Sequence, residues 1–166
     1  MKEQKLEFTY EVYEDISELK KEDALLLLKA REVLNKAYAP YSQFHVGAVA
    51  NLINGAEVTG TNQENASYPV GICAERVLLG TAANMFPEVP ISTMAISYGG
   101  KDVVSDHPIS PCGMCRQALL EFENRVSQPI RVILGGMEGR IFILPSASLL
   151  LPFAFTKEEL EKASGK

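Results

Sequence analysis

The sequence predicts an α/β fold, a three-layer α/β/α sandwich built on a mixed five-stranded sheet. Apolar, β-rich segments alternate with amphipathic helical ones, and such strands need helices on both faces. Asn54-Gly55 and the run Gly135-Gly136-Met137-Glu138-Gly139 are turn signals between β-rich segments, which makes two antiparallel hairpins. The strand-helix-strand connections, in contrast, favour parallel neighbours by right-handed crossover, so the sheet is mixed.

The elements follow in chain order. Leu6, Phe8, Tyr10 and Val12 alternate with polar residues, which suits a strand or an extended arm; residues 1–20 are read as an extension ahead of a single domain over 21–166. Residues 23–37 are rich in Leu, Ala, Lys and Glu, and Pro40 ends that helix. Residues 44–53 and 57–61 form the first hairpin. A helix over 73–85 carries Val77, Leu78 and Ala82 at helical spacing, and Pro87 and Pro90 close it. Residues 91–98 read as a strand ending at Gly99-Gly100, and Ser110-Pro111 supplies an N-cap and a first-turn proline for a helix through Phe122. Residues 130–134 and 141–144 are the second hairpin, with short helical segments near 146–151 and 157–162.

The chain has 166 residues, one domain's worth, and a net charge of −5 that disfavours a long polyanion as its main partner. A small-molecule partner is expected instead, with no nucleic acid. No apolar run approaches the roughly 20 residues that span a bilayer, and the first residues lead into no signal-peptide-like core, so a cytoplasmic location is expected. The three cysteines cannot all pair internally, and free or metal-bound thiols suit a reducing compartment.

Those cysteines open two of the helices. Cys73, Cys112 and Cys115 can hold a zinc ion as thiolates and leave its fourth position to water. Glu75, two residues after the first ligand, is placed to move protons to and from that water, although an acidic residue there also complements a helix dipole. Three thiolates leave the complex with an excess of negative charge, which the two helix starts and Arg76 would offset, Arg76 by hydrogen bonds to the thiolates behind the ligand shell. Cys112-Gly113-Met114-Cys115 alone also fits a redox dithiol, but that reading gives Cys73 and Glu75 nothing to do. His45 and His107 are left out of the ligand set.

Cys73-Ala74-Glu75-Arg76 with residues 110–117, Ser-Pro-Cys-Gly-Met-Cys-Arg-Gln, resembles the zinc signature of the small, tetrameric cytidine deaminases. Residues 38–48 and 61–69 are similar to the family's other two motifs in order and spacing, and residues 150–155 extend the match towards the end. The resemblance implies a cytidine deaminase-like fold with one zinc per subunit. It implies hydrolytic deamination of cytidine and 2′-deoxycytidine for pyrimidine salvage, with water adding at C4 while Glu75 relays protons to N3 and the departing ammonia. Asn62 and Glu64 match positions that bind the sugar, Phe44 an aromatic that packs on the pyrimidine, and Ala74 a backbone contact to the base. Phe155 matches a ring that enters a neighbouring subunit's pocket, which implies a homotetramer with shared active sites. Met114 departs from the family, in which a small residue is frequent there. The alternatives are a deaminase for another aminopyrimidine, such as a blasticidin-type antibiotic, polynucleotide editing, and a non-catalytic zinc or redox protein.

Overall fold

The computed structural model describes residues 1–163. Among them one sheet contains β1 (Glu11–Tyr13), β2 (His45–Leu52), β3 (Glu57–Thr61), β4 (Ile91–Gly99), β5 (Arg131–Gly135) and β6 (Ile141–Leu144) in the order β1-β6-β5-β4-β2-β3. Only β4 and β5 run parallel; the other neighbours are antiparallel. The sheet is mixed as expected, but it has six strands, not five. The added strand is β1, which pairs Val12 with Phe142 on the outer edge of β6.

Helix α1 (Lys21–Val33) covers one face; α2 (Ala74–Met85) and α3 (Gly113–Val126) cover the other; α4 (Lys157–Ala163) follows the sheet. Strand alternation divides the core accordingly. Val49, Ala95, Ile133 and Ile141 pack with Leu26, Leu27, Ala30 and Val33 of α1. Ala48, Ala50, Met94, Ile96, Val132 and Leu134 pack with Leu78, Ala82, Leu119 and Phe122 of α2 and α3.

Several boundaries differ from the sequence reading; α3, for one, runs on to Val126 rather than stopping at Phe122. The first helix begins at Lys21 and gives way to a 3-10 turn at Leu34–Lys36. The N-cap of α3 is Cys112, not Ser110, and Pro111 lies before the helix. Cys112 keeps an extended backbone (φ −65°, ψ 165°), and Arg116 Nε donates to the Pro111 carbonyl at 2.8 Å. These contacts hold the entry strand of chain where a first-turn proline would have curled it into the helix.

Helix α2 lies against β3 because Gly60 has no side chain. A Cβ there would sit 2.3 Å from the Ala74 carbonyl oxygen and 2.5 Å from the Leu78 nitrogen. That close approach sets the depth of the helix start, which is where the first cysteine sits.

Candidate active site

Cys73 and Cys112 occupy the same position in their two elements: each is the N-cap residue of a helix, and neither side chain makes a capping hydrogen bond. The first-turn N–H groups of α2 and α3, with the positive ends of the helix dipoles, therefore remain available to negative charge at the thiols. Cys115, in the first turn of α3, completes the group.

The Cys73 and Cys112 sulfurs are 3.8 Å apart, those of Cys112 and Cys115 3.5 Å, and all three lie within 4.8 Å of one another. Three sulfurs at about 2.3 Å from a tetrahedral zinc would be about 3.8 Å apart, so the donor set fits the ion. Cys115 is buried, Cys73 half-buried and Cys112 exposed, which leaves the group open on one side. No fourth His, Cys, Asp or Glu joins the cluster among the described residues, as expected of a site that keeps one position for water. His45 opens β2, and His107 bonds Asp106 and Tyr98; neither belongs to the cluster.

The thiols are electrostatically unequal. The Cys115 side chain, hydrogen-bonded to Cys73, brings the Cys73 thiol down to about 6, while burial and the Glu75 charge oppose it. Cys112 and the charge of Arg76 act in the lowering direction. Cys115 moves up, for the same bond to Cys73 together with burial and the nearby negative charges.

Glu75 stands in the first turn of α2 and is only 5% exposed. Burial raises its carboxyl above the ordinary carboxylate range, and its own N–H and the Cys115 side chain oppose that rise. A carboxylate held this way is a stronger base than an exposed one. Arg76 is half-buried beside Leu79, Ala83 and Phe122. Among the described residues its guanidinium makes no hydrogen bond to a thiol, so its influence on Cys73 is that of a nearby charge.

The remaining motif residues are tied to this centre through the backbone. Gln63 and Ile72 exchange N–H···O bonds of 2.9 and 3.0 Å, which fastens the segment after β3 to the residue before Cys73. Tyr38 donates to the Asn62 carbonyl at 3.0 Å and accepts from the Glu64 N–H at 2.7 Å, which brings the 38–44 loop alongside. Asn62 Oδ1 accepts from the Val46 N–H at 2.7 Å, and Nδ2 donates to the Phe44 carbonyl at 2.8 Å. The amide thus acts as a strand partner for the start of β2 and keeps one N–H and one lone pair in reserve. Glu64 Oε2 accepts from the Tyr41 and Ser42 N–H groups at 2.9 and 3.2 Å. Hydrogen bonding by the Ser42 side chain, then by those N–H groups, holds this carboxyl below its usual range.

The structure adds two residues that the sequence reading missed. Tyr98, 2% exposed at the end of β4, stacks on the Phe44 ring with centroids 5.3 Å apart and planes 19° from parallel. Arg116, besides holding Pro111, donates through Nη1 to the Leu150 carbonyl at 3.2 Å. Its place directly after the last cysteine was a usable signal; nothing local marks Tyr98. Ala74 is fully buried, and Phe155 is 59% exposed while its carbonyl accepts from Gln117 Nε2 at 2.9 Å.

Residues 20–128 match the family model described as the cytidine and deoxycytidylate deaminase zinc-binding region. The cytidine deaminase of Halalkalibacterium halodurans is 38% identical over 138 residues, which is 82% of this chain and 96% of that protein. The cytidine deaminase of Sporosarcina psychrophila is 38% identical over 141 residues, covering 84% and 95%. Among solved structures, cytidine deaminase from Burkholderia pseudomallei superposes with a TM-score of 0.69 at 36% identity, covering 82% of this chain and all of that one. With its three clustered thiols and Glu75 inside the matched region, the chain belongs to the cytidine and deoxycytidylate deaminase zinc-binding family.

Proposed function

We propose that this protein hydrolytically deaminates cytidine and 2′-deoxycytidine to uridine and 2′-deoxyuridine, with release of ammonia. The observation that carries the reading is the buried Glu75 carboxyl beside three thiols spaced for one zinc ion. Cys73, Cys112 and Cys115 would hold a zinc ion, which would supply the Lewis acidity that the attacking water needs. Glu75 accepts the proton that the water gives up and passes it to N3. The carboxylate then takes the remaining proton of the hydroxyl added at C4 and delivers it to the amino nitrogen as the C4–N bond breaks, which leaves the C4 carbonyl and ammonia. The helix starts and the Arg76 charge offset the negative excess of the thiolates, so that water is not held back from ionising.

Phe44, braced by Tyr98, offers a flat apolar face to the pyrimidine, and the Ala74 backbone meets the base's polar edge. The reserve donor and acceptor of Asn62, with the free oxygen of Glu64, read the sugar hydroxyls. Phe155, exposed on a tail tied to α3, is assigned to a neighbouring subunit's pocket in a homotetramer. Residues 21–166 form the catalytic domain behind the 1–20 extension. Among the described residues no helix is long and apolar enough to cross a membrane. A cytoplasmic role in pyrimidine salvage suits a site that depends on reduced thiols.

The test is the ultraviolet change of cytidine and 2′-deoxycytidine on incubation with zinc-loaded protein, beside a panel of other aminopyrimidines. Turnover of both nucleosides is expected. Inert cytidine with a full zinc complement would overturn the assignment.

A further inference from the structure

The matched family region begins at residue 20, and the segment before it lies outside that match. Strand β1 lies at the open edge of the sheet, with β6 on one side and no strand on the other among the described residues. Beyond β1 the arm outruns its partner, because β6 ends at Leu144, Pro145 has no N–H, and the chain then turns into Ala147–Leu150. Residues 2–9 accordingly make no backbone hydrogen bond with the described residues. Leu6, Phe8, Tyr10 and Val12 share one side of the extended arm and are 46–62% exposed. They continue a row of rings in which Phe8 meets Tyr10 at 6.4 Å and Tyr10 meets Phe142 at 5.1 Å. The other side carries Lys5, Glu7, Thr9 and Glu11, with Lys5 and Glu7 paired.

An unpaired strand edge with an apolar face is a template for another strand. The order of charges says which one. If the arm pairs antiparallel with itself about Phe8, Leu6 faces Tyr10, Lys5 faces Glu11, Glu7 faces Thr9 and Glu3 faces Tyr13. Every apolar residue from 6 to 10 meets another, and each Lys5 meets an acid. Moving the dyad to Glu7 sets Glu7 against Glu7 and Glu3 against Glu11; moving it to Thr9 sets Glu7 against Glu11 and Glu3 against Asp15. Like charges directly opposite one another are destabilising, which disfavours both. Dyads at Leu6 or Tyr10 avoid them, but the first sets Phe8 against Gln4 and Tyr10 against Lys2, and the second needs Leu6 and Lys5 to face Glu14 and Asp15, beyond the end of β1. We infer that residues 4–12 pair antiparallel with the same segment of a second copy of this chain, about a two-fold axis at Phe8, and join two sheets edge to edge.

The experiment is disulfide trapping in zinc-loaded, full-length protein. Phe8→Cys places two sulfurs across the axis within bridging range, whereas two copies of Leu6→Cys stand four residues out of register, roughly 13 Å apart along the strands. Under mild oxidation Phe8→Cys gives a covalent dimer in at least tenfold greater yield than Leu6→Cys or the unaltered protein. A mixture of Leu6→Cys with Tyr10→Cys gives the mixed dimer, while neither forms one alone. Deleting residues 2–10 weakens the corresponding association at least tenfold in sedimentation, with cytidine turnover unchanged. Equal trapping of Phe8→Cys and Leu6→Cys, or an unchanged mass distribution after deletion, overturns the inference. It stands apart from the catalytic reading: protein inert towards cytidine that still traps through residue 8 leaves it intact.

Discussion

Glu75 shows what a single residue contributes. Its carboxyl is buried, hydrogen-bonded with the Cys115 thiol, and removed from the solvent that would otherwise exchange its proton. Glu75→Gln keeps the shape and all three thiols, so zinc content stays stoichiometric while kcat falls by about 10²–10⁴-fold; zinc analysis and steady-state rates on the same sample check both halves. The sequence announced Glu75 through its spacing from Cys73. Glu123 gave no such notice, although it is 6% exposed and accepts from the N–H groups of Ile130, Ala147 and Ser148 and from the Ser146 hydroxyl. Those partners come together only after α3, β5 and the turn beyond β6 have packed, so no local pattern encodes the role. Glu123→Leu strands these buried donors and costs about 3 kcal/mol or more, visible in urea unfolding. Ser97 is the converse case, since its hydroxyl is buried in β4 without a hydrogen-bond partner among the described residues. Ser97→Ala removes that unmet group and stabilises the fold by about 1 kcal/mol; a midpoint shifted to lower urea would contradict this.

Among the elements, the helices and the longer strands were legible because their periods are local properties of the chain. Helix ends were less so. Ser110-Pro111 has the chemistry of a helix start, but Cys112 takes the cap because its thiol must meet Cys73 and Cys115, a tertiary demand. Strand β1 was legible only as a strand or extended arm around residues 6–12; just three residues pair, and the β6 edge selects them. The contact between β3 and α2 supplies the prediction that belongs at this level. A methyl group at Gly60 has no space before the Ala74 carbonyl, so Gly60→Ala moves the start of α2 and with it Cys73 and Glu75. Zinc affinity, measured by competition with a chelator, should drop at least tenfold, and the melting temperature should fall as well. An unshifted affinity would mean that the helix absorbs the methyl group elsewhere along its length.

For the molecule as a whole, the mixed sheet and its two helical layers followed from the hairpin turns and the strand-helix-strand connections. Its sixth strand did not, since that depends on where the ends of distant segments meet. The metal centre joins the two helices of one layer, so binding the ion stabilises the folded chain and hardly the unfolded one. At free zinc about a thousandfold above the dissociation constant this amounts to about 4 kcal/mol, or roughly 8–16 °C in Tm for a domain of this size. Calorimetry before and after chelation, with zinc restored as the control, should reproduce that interval. The spacing of the thiols also has a meaning in time. Cys73 leaves the ribosome 39 residues ahead of Cys112, and all of β4 lies between them. One thiol holds zinc weakly, so the ion cannot be retained until the second helix has emerged and docked. A bound ion therefore records that synthesis has passed Cys115 and that the layer has closed.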